Sequence, residues 1–364
     1  MAAAVADADA GRARHGSALA PGSRDPRAGA WLWVSALVTL GALALGVLLA
    51  PPASESPVRA LTWLLFLGSS VHVAATGYLF TFSEVRTHAM EQRGRYLCLP
   101  TCCVAVAVVL AGVLTPAQLE WALLPYFCWQ FFHFQKQNLG VVALSAGAFA
   151  TKGPSTTERR ALMLAGWAGI LGLATRPSLL QLTIETPFGA LHAVAIGLAL
   201  AAVLGGLGSL LARPRDERPL GYCVVYLSSL TFFAPVFLFP SPYAAVAGMT
   251  IAHGFQYLVL VGLVARGEPR QSDRTFGIAA FLNIALLGGI ALGGASHLHG
   301  GPTAGRLLFG VYLGLVMTHF LVDAGLWRLR DPFPRSFLSS RIPYLVAPTV
   351  ARDPVDDRSG GDIR

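Results

Sequence analysis

Polar residues along this chain gather in short clusters between long apolar runs. Runs close to the roughly 20 residues that cross a bilayer recur throughout. They occupy about 30–50, 60–82, 97–114, 118–149, 161–175, 187–212, 220–240, 243–265, 276–296 and 304–327. The pattern predicts an all-α fold, a polytopic transmembrane helix bundle of about ten helices. The fourth run is too long for one straight span. The polar stretch FFHFQKQNLG, Phe131–Gly140, interrupts it, so a break near Gly140 is expected. The fifth run is short, which leaves nine spans as the other count.

Charge orders these runs. If the chain crosses at every run, all of its 27 Lys and Arg residues except Arg59, Arg176, Arg306 and Lys136 fall on one side. Basic residues collect in cytoplasmic loops. Both termini are therefore expected to be cytoplasmic, in a bacterial cytoplasmic membrane. The net charge of +8 then reports topology, and no nucleic-acid partner is called for. Composition agrees. The chain is 54% hydrophobic and 13% charged, where soluble domains carry about 25% charged residues, and its mean hydropathy is +0.57.

Residues 1–28, rich in Ala, Gly and Arg, read as a disordered cytoplasmic N-terminus. Residues 29–330 read as the bundle and 331–364 as a cytoplasmic tail. Pro51 and Pro52 argue against cleavage after Ala50, so the first run is expected to be a retained helix. No loop is long enough for a soluble catalytic domain. The five cysteines lie in apolar runs without a C-x-x-C pair and read as small buried residues.

An ionisable residue deep in a bilayer costs several kcal/mol unless it is paired or faces a cavity. Six such residues stand out here: His72, His133, Lys136, His253, His319 and Asp323. The four histidines sit in separate runs that cross in the same direction, at similar depths. Each has a polar neighbour on its own helical face. Thr76 lies four after His72, Gln137 four after His133, Gln256 and Tyr257 three and four after His253, and Asp323 four after His319. A metal-bound imidazole gives its other N–H to such a neighbour. The expectation is one metal centre held by His72, His133, His253 and His319. Gln137 and Gln256 would support the rings, Asp323 would be either a fifth ligand or a base behind them, and Asp323, Lys136 or Tyr257 would handle protons. Separate interhelical hydrogen bonds are the plainer alternative. Lys136 is expected to pair with Asp323 or to reach water through a cavity.

A second cluster, Glu84, His88 and Glu91, shares a face just past the second run. It reads either as a solvated loop paired to Arg86, Arg93 and Arg95 or as ligands of a second metal ion. Trp327 and Arg328 are expected to anchor the last span at the inner interface.

The elements H-F-x-x-Q (His133 to Gln137), H-x-x-Q-Y (His253 to Tyr257) and H-x-x-x-D (His319 to Asp323) resemble a broad set of bacterial polytopic membrane proteins. More remotely, the layout is similar to the Brp/Blh family of membrane carotene oxygenases. The resemblance implies non-haem iron, one or two ions, held by histidines from several helices, and cleavage of a hydrophobic polyene. The histidine boxes of the membrane desaturases are absent, and His297 and His299 lie on an outer loop.

The expected function is a membrane non-haem metal oxygenase. Its partners would be the lipid bilayer, a hydrophobic small-molecule substrate and an electron donor. Copper, zinc and haem are the other cofactors the histidines suit. A proton-coupled transporter built on the buried His, Asp and Lys, and a haem electron-transfer protein, are the competing functions. A protein whose polar core serves packing alone is the non-catalytic reading.

Overall fold

The computed structural model describes residues 26–52, 55–149, 151–267 and 277–346. Among these residues every regular element is helical. Those of five residues or more are, in chain order, α1 (Pro26–Leu48), α2 (Arg59–Leu79), α3 (Ser83–Glu91), α4 (Gly94–Val113), α5 (Pro116–Ala148), α6 (Thr156–Thr175) and α7 (Gly189–Ala212). After these come α8 (Leu220–Leu230), α9 (Ala234–Leu238), α10 (Tyr243–Arg266), α11 (Gly277–Ser296), α12 (Thr303–Leu326) and α13 (Pro332–Arg341). Seven of them, α1, α2, α4, α7, α10, α11 and α12, are long and apolar enough to cross a bilayer. Their outward faces carry exposed apolar side chains, such as Leu37, Val113, Leu204 and Leu287. In water such surfaces would aggregate, so a lipid surround is the environment they fit.

The remaining apolar runs, the fourth, fifth and seventh of the ten expected, fold as follows. The fourth is one unbroken helix of 33 residues, α5, which continues through Gly140. At 1.5 Å per residue it is about 50 Å long, well beyond a hydrocarbon core of about 30 Å. A capping box between Thr115 and Gln118 starts it. The fifth run becomes the 20-residue α6, longer than its apolar stretch because a Ser155–Glu158 capping box adds a polar first turn. The seventh divides into α8 and the short α9, which begins just ahead of Pro235.

Cross-loop contacts join segments that the charge pattern puts on the same side. On the arginine-rich side Arg27 lies over the Tyr344 ring, Arg341 pairs with Glu84 at 3.0 Å, and Lys152 pairs with Glu217. There Glu158 is buried and accepts from Arg213 Nε and Nη2, each at 2.8 Å. On the other side Thr183 donates to Glu120, and Arg306 donates to the carbonyl of Leu114. Part of the C-terminal region read as a cytoplasmic tail is helical. It is α13, which packs Phe337 and Leu338 into the core. Residues 347–364 and residues 1–25 of the expected N-terminal tail lie outside the described residues.

Small residues set how close the core helices come. An ideal Cβ on Gly254 would lie 2.1 Å from the carbonyl oxygen of Gly68. The backbones of α2 and α10 therefore touch where His72 and His253 emerge. A π-helical turn, Leu67–Val71, immediately precedes His72. Such a turn inserts an extra residue and rotates the helix beyond it, and it often marks a functional site.

Candidate metal centre

His72 on α2, His133 on α5, His253 on α10 and His319 on α12 converge in the interior. All four are buried. Ring centroids are 5.0 Å apart for His72 and His253, 4.9 Å for His72 and His319, 4.9 Å for His133 and His253, and 5.2 Å for His133 and His319. The four rings thus form a closed quadrilateral, with His253 and His319 6.3 Å apart across it. Phe134 stacks on His253 at 4.0 Å and Phe320 stacks on His133 at 4.5 Å, closing the sides against water.

The ring nitrogens are mostly without protein partners. Both nitrogens of His72, both of His253, Nε2 of His133 and Nε2 of His319 are buried and accept or donate no hydrogen bond. The Gly68 and Ser69 carbonyls lie near the His72 ring, but neither meets hydrogen-bond geometry. A buried polar group left unpaired costs about 1–3 kcal/mol, so this concentration in one place calls for a bound species. Two groups bring their donor atoms within 4.8 Å of one another: His72, His253 and His319, and His133, His319 and Asp323. Nitrogens each about 2.1 Å from one ion are at most about 4.2 Å apart. The observed spacing exceeds that by at most about 0.6 Å.

The layer one turn further along the same helices holds the supporting groups. Thr76 Oγ1 lies 2.6 Å from His319 Nδ1 and 2.8 Å from Tyr257 Oη. Tyr257 donates to Asp323 Oδ1 at 3.1 Å. Read as one chain of donors, His319 Nδ1–H gives to Thr76, Thr76 to Tyr257 and Tyr257 to Asp323. That order fixes the His319 tautomer and leaves Nε2 with a free lone pair. Because Nδ1 is occupied, His319 has only Nε2 left to offer, and the two groups meet at that residue.

Asp323 is 5% exposed. Its Oδ2 lies 3.8 Å from His133 Nε2 and 3.7 Å from His319 Nε2. No Lys or Arg among the described residues pairs with it. A carboxylate buried without a cation is costly, and a divalent ion among the imidazoles would balance it. On the other flank Gln137 donates to the His253 carbonyl and to Gln256 Oε1, each at 2.9 Å. Gln256 in turn donates to Thr39 Oγ1 at 2.6 Å, tying α5 and α10 to α1. These bonds hold the His253 backbone in place.

Other expected residues sit elsewhere. Lys136 is exposed on the outer face of α5. It pairs with neither Asp323 nor the imidazoles, because its position points it off the flank that carries His133 and Gln137. Gln135 and Asn138 turn the other way, with Gln135 donating to the Leu162 carbonyl on α6. Glu84 is held by Arg341, and His88 stacks on Phe333 at 3.9 Å with Glu91 4.0 Å from its Nδ1. The three line one open cavity with Phe333, but among the described residues they do not bring three donor atoms within 4.8 Å of one another. Trp327 is half-buried and packs edge-on against Tyr257 at 5.9 Å. His192 bonds to Thr175 at 3.0 Å, away from the cluster.

Sequence reasoning missed Thr39, the Gly68–Gly254 contact and the stacking roles of Phe134 and Phe320. Only Phe134 carried a signal, as the residue beside His133. No protein-family model, no curated protein and no solved structure matches this chain.

Proposed function

We propose that this chain is a membrane-embedded, metal-dependent oxidoreductase with a single non-haem centre. The ion is held by His72, His133, His253 and His319 Nε2, with Asp323 Oδ2 as the further ligand. The observation that carries this reading is the set of buried imidazole nitrogens without partners, on rings whose centroids are about 5 Å apart and whose donor atoms come within 4.8 Å of one another in two groups of three. Neutral imidazoles plus one carboxylate suit iron, copper or zinc, and iron fits the redox reading best. An iron ion there would supply one-electron chemistry with dioxygen. The chain's own residues do the rest. Thr76 and Tyr257 hold the His319 tautomer, Tyr257 Oη and Asp323 Oδ1 pass a proton between them, and Phe134 and Phe320 keep water from the rings. The substrate partitions from the bilayer, and an electron donor acts from the arginine-rich, cytoplasmic side of a bacterial membrane.

The tight spacing of the rings supports a bare ion over haem. A porphyrin pocket takes on the order of several hundred Å³, and the cavity beside the rings measures about 20 Å³. Proton-coupled transport is the second reading, favoured by the Thr76–Tyr257–Asp323 chain. It leaves the unpartnered nitrogens unexplained.

The test is elemental analysis of the purified protein in detergent, for iron, copper and zinc. One equivalent in the wild type is expected, falling below about a tenth in His133→Ala and His319→Ala. A metal-free wild type that still refuses reconstitution with Fe(II), Cu(II) or Zn(II) would falsify the reading.

A further inference from the structure

A narrow cavity lies against His72, on the side of the rings opposite Thr76, Tyr257 and Asp323. Its wall is built in register with the four histidines. Ser69, Gln130, Thr250 and Val316 each stand three residues before His72, His133, His253 and His319, and all four line it. The residues one turn later on the same helices meet on the opposite side. The four helices therefore run in the same direction through the site, and the centre has two unlike faces. One is filled by a hydroxyl and carboxylate chain, and the other opens on the cavity.

The space open to the centre of a water-sized molecule is about 20 Å³. It admits a small molecule and is far below the several hundred Å³ of a pocket that buries a large organic ligand. Its wall carries no charged side chain, so a bare anion or cation has no counter-charge there. Ser69 and Thr250 spend their hydroxyl hydrogens on the carbonyls of Leu65 and Val246. The Gln130 amide makes no side-chain hydrogen bond among the described residues and stays free to donate into the cavity. Tyr126 and Tyr312 continue the wall beyond it.

Resting on the metal reading above, we propose that this cavity seats the centre's exchangeable ligand, an uncharged diatomic of dioxygen's size. Gln130 is its hydrogen-bond donor, and Phe134 and Phe320 are the walls shared with the imidazoles. Ligand and protons then reach the centre from opposite faces, and any larger substrate acts from outside this cavity.

Nitric oxide serves as the probe. The full-length protein is loaded anaerobically with Fe(II), nitric oxide is added, and the iron–nitrosyl electron paramagnetic resonance signal is titrated. The wild type is expected to give one nitrosyl per iron. Val316→Phe fills the cavity and should weaken nitric oxide binding at least tenfold with iron content unchanged. Gln130→Phe, at a half-buried position that tolerates size, should do the same if Val316→Phe does not fold. Gln130→Leu, which keeps the volume and removes the amide, should speed nitric oxide release several-fold. If the filled variants hold iron and bind nitric oxide as the wild type does, the cavity is not the ligand seat, and the metal centre survives. If the wild type takes up no iron, this ligand seat falls, and the metal reading falls with it only if copper and zinc are refused as well.

Discussion

The Thr76 hydroxyl lies 2.6 Å from Nδ1 of His319 and joins two helices 243 residues apart in sequence. This contact decides which imidazole nitrogen is available. With Nδ1 engaged, only Nε2 faces the other rings. Thr76→Val keeps the shape and removes the bond. Loss of such a supporting partner typically weakens metal binding by about 10–100-fold. A competition titration against a chromophoric chelator should show that weakening with helix content unchanged, and Thr76→Ser should restore most of the affinity. Wild-type affinity in Thr76→Val would remove the positioning role.

Gly254 fixes the distance between α2 and α10. A methyl group there meets the Gly68 backbone, which cannot rotate away as a flexible side chain would. Overpacking of this kind costs about 1–3 kcal/mol. Gly254→Ala should lower thermal stability in detergent and also the metal occupancy, because His253 moves with its backbone. Gly294→Ala is the control, since nothing lies within 4 Å of its added carbon. Equal behaviour of the two variants would mean that the close approach does not position the histidine.

Lys136 and Asp323 looked alike as buried charges in the sequence and should respond differently to neutral replacement. Lys136→Met removes an exposed cation and is expected to leave metal content and stability within error. Asp323→Asn replaces a buried carboxyl at nearly constant volume. It should change the metal-free protein little, because a carboxyl buried without a cation holds its proton and carries no charge. The metal-loaded form should lose stability for want of a ligand. Calorimetry with and without metal separates the two effects. Stabilisation or destabilisation in both states alike would reduce Asp323 to a packing residue.

The contrast between those two residues shows what was legible. The buried histidines, and Thr76, Gln137, Gln256, Tyr257 and Asp323 at three and four residues from them, come out of helical spacing alone. The face on which Lys136 lies does not. Helices of this kind are apolar all round, so the usual distinction between a core stripe and a polar stripe vanishes. The α5 helix could not be bounded either, because Gly140 is a weak breaker within a long helix whose backbone bonds are satisfied internally. The Gly68–Gly254 contact joins segments far apart in the chain, and a single sequence carries no trace of it. The cavity wall at three residues before each histidine was legible in principle. Ser69, Gln130 and Thr250 stand at that spacing, and only the common direction of the four helices gives the coincidence meaning.

His88 offers a pH test outside the membrane spans. It is buried against Phe333 in a stacked pair, 3.9 Å between centroids. Burial pushes its pKa below 6.5, Glu91 and Asp331 oppose the shift, and Arg95 adds to it. The folded state therefore binds fewer protons than the unfolded chain between the lowered value and 6.5. Stability rises with pH across that window, is fully present above 6.5, and is lost as pH falls toward the lowered pKa. His88→Phe keeps the stacked ring and removes the titration. Wild-type thermal midpoints should fall on going from pH 7 to mildly acidic buffer, and the variant should fall less. Because buried imidazoles also titrate at the centre, the comparison is made on metal-free protein in the His319→Ala background as well. Parallel curves for the two proteins in both backgrounds would place the acid sensitivity elsewhere and leave His88 as a packing residue between α3 and α13.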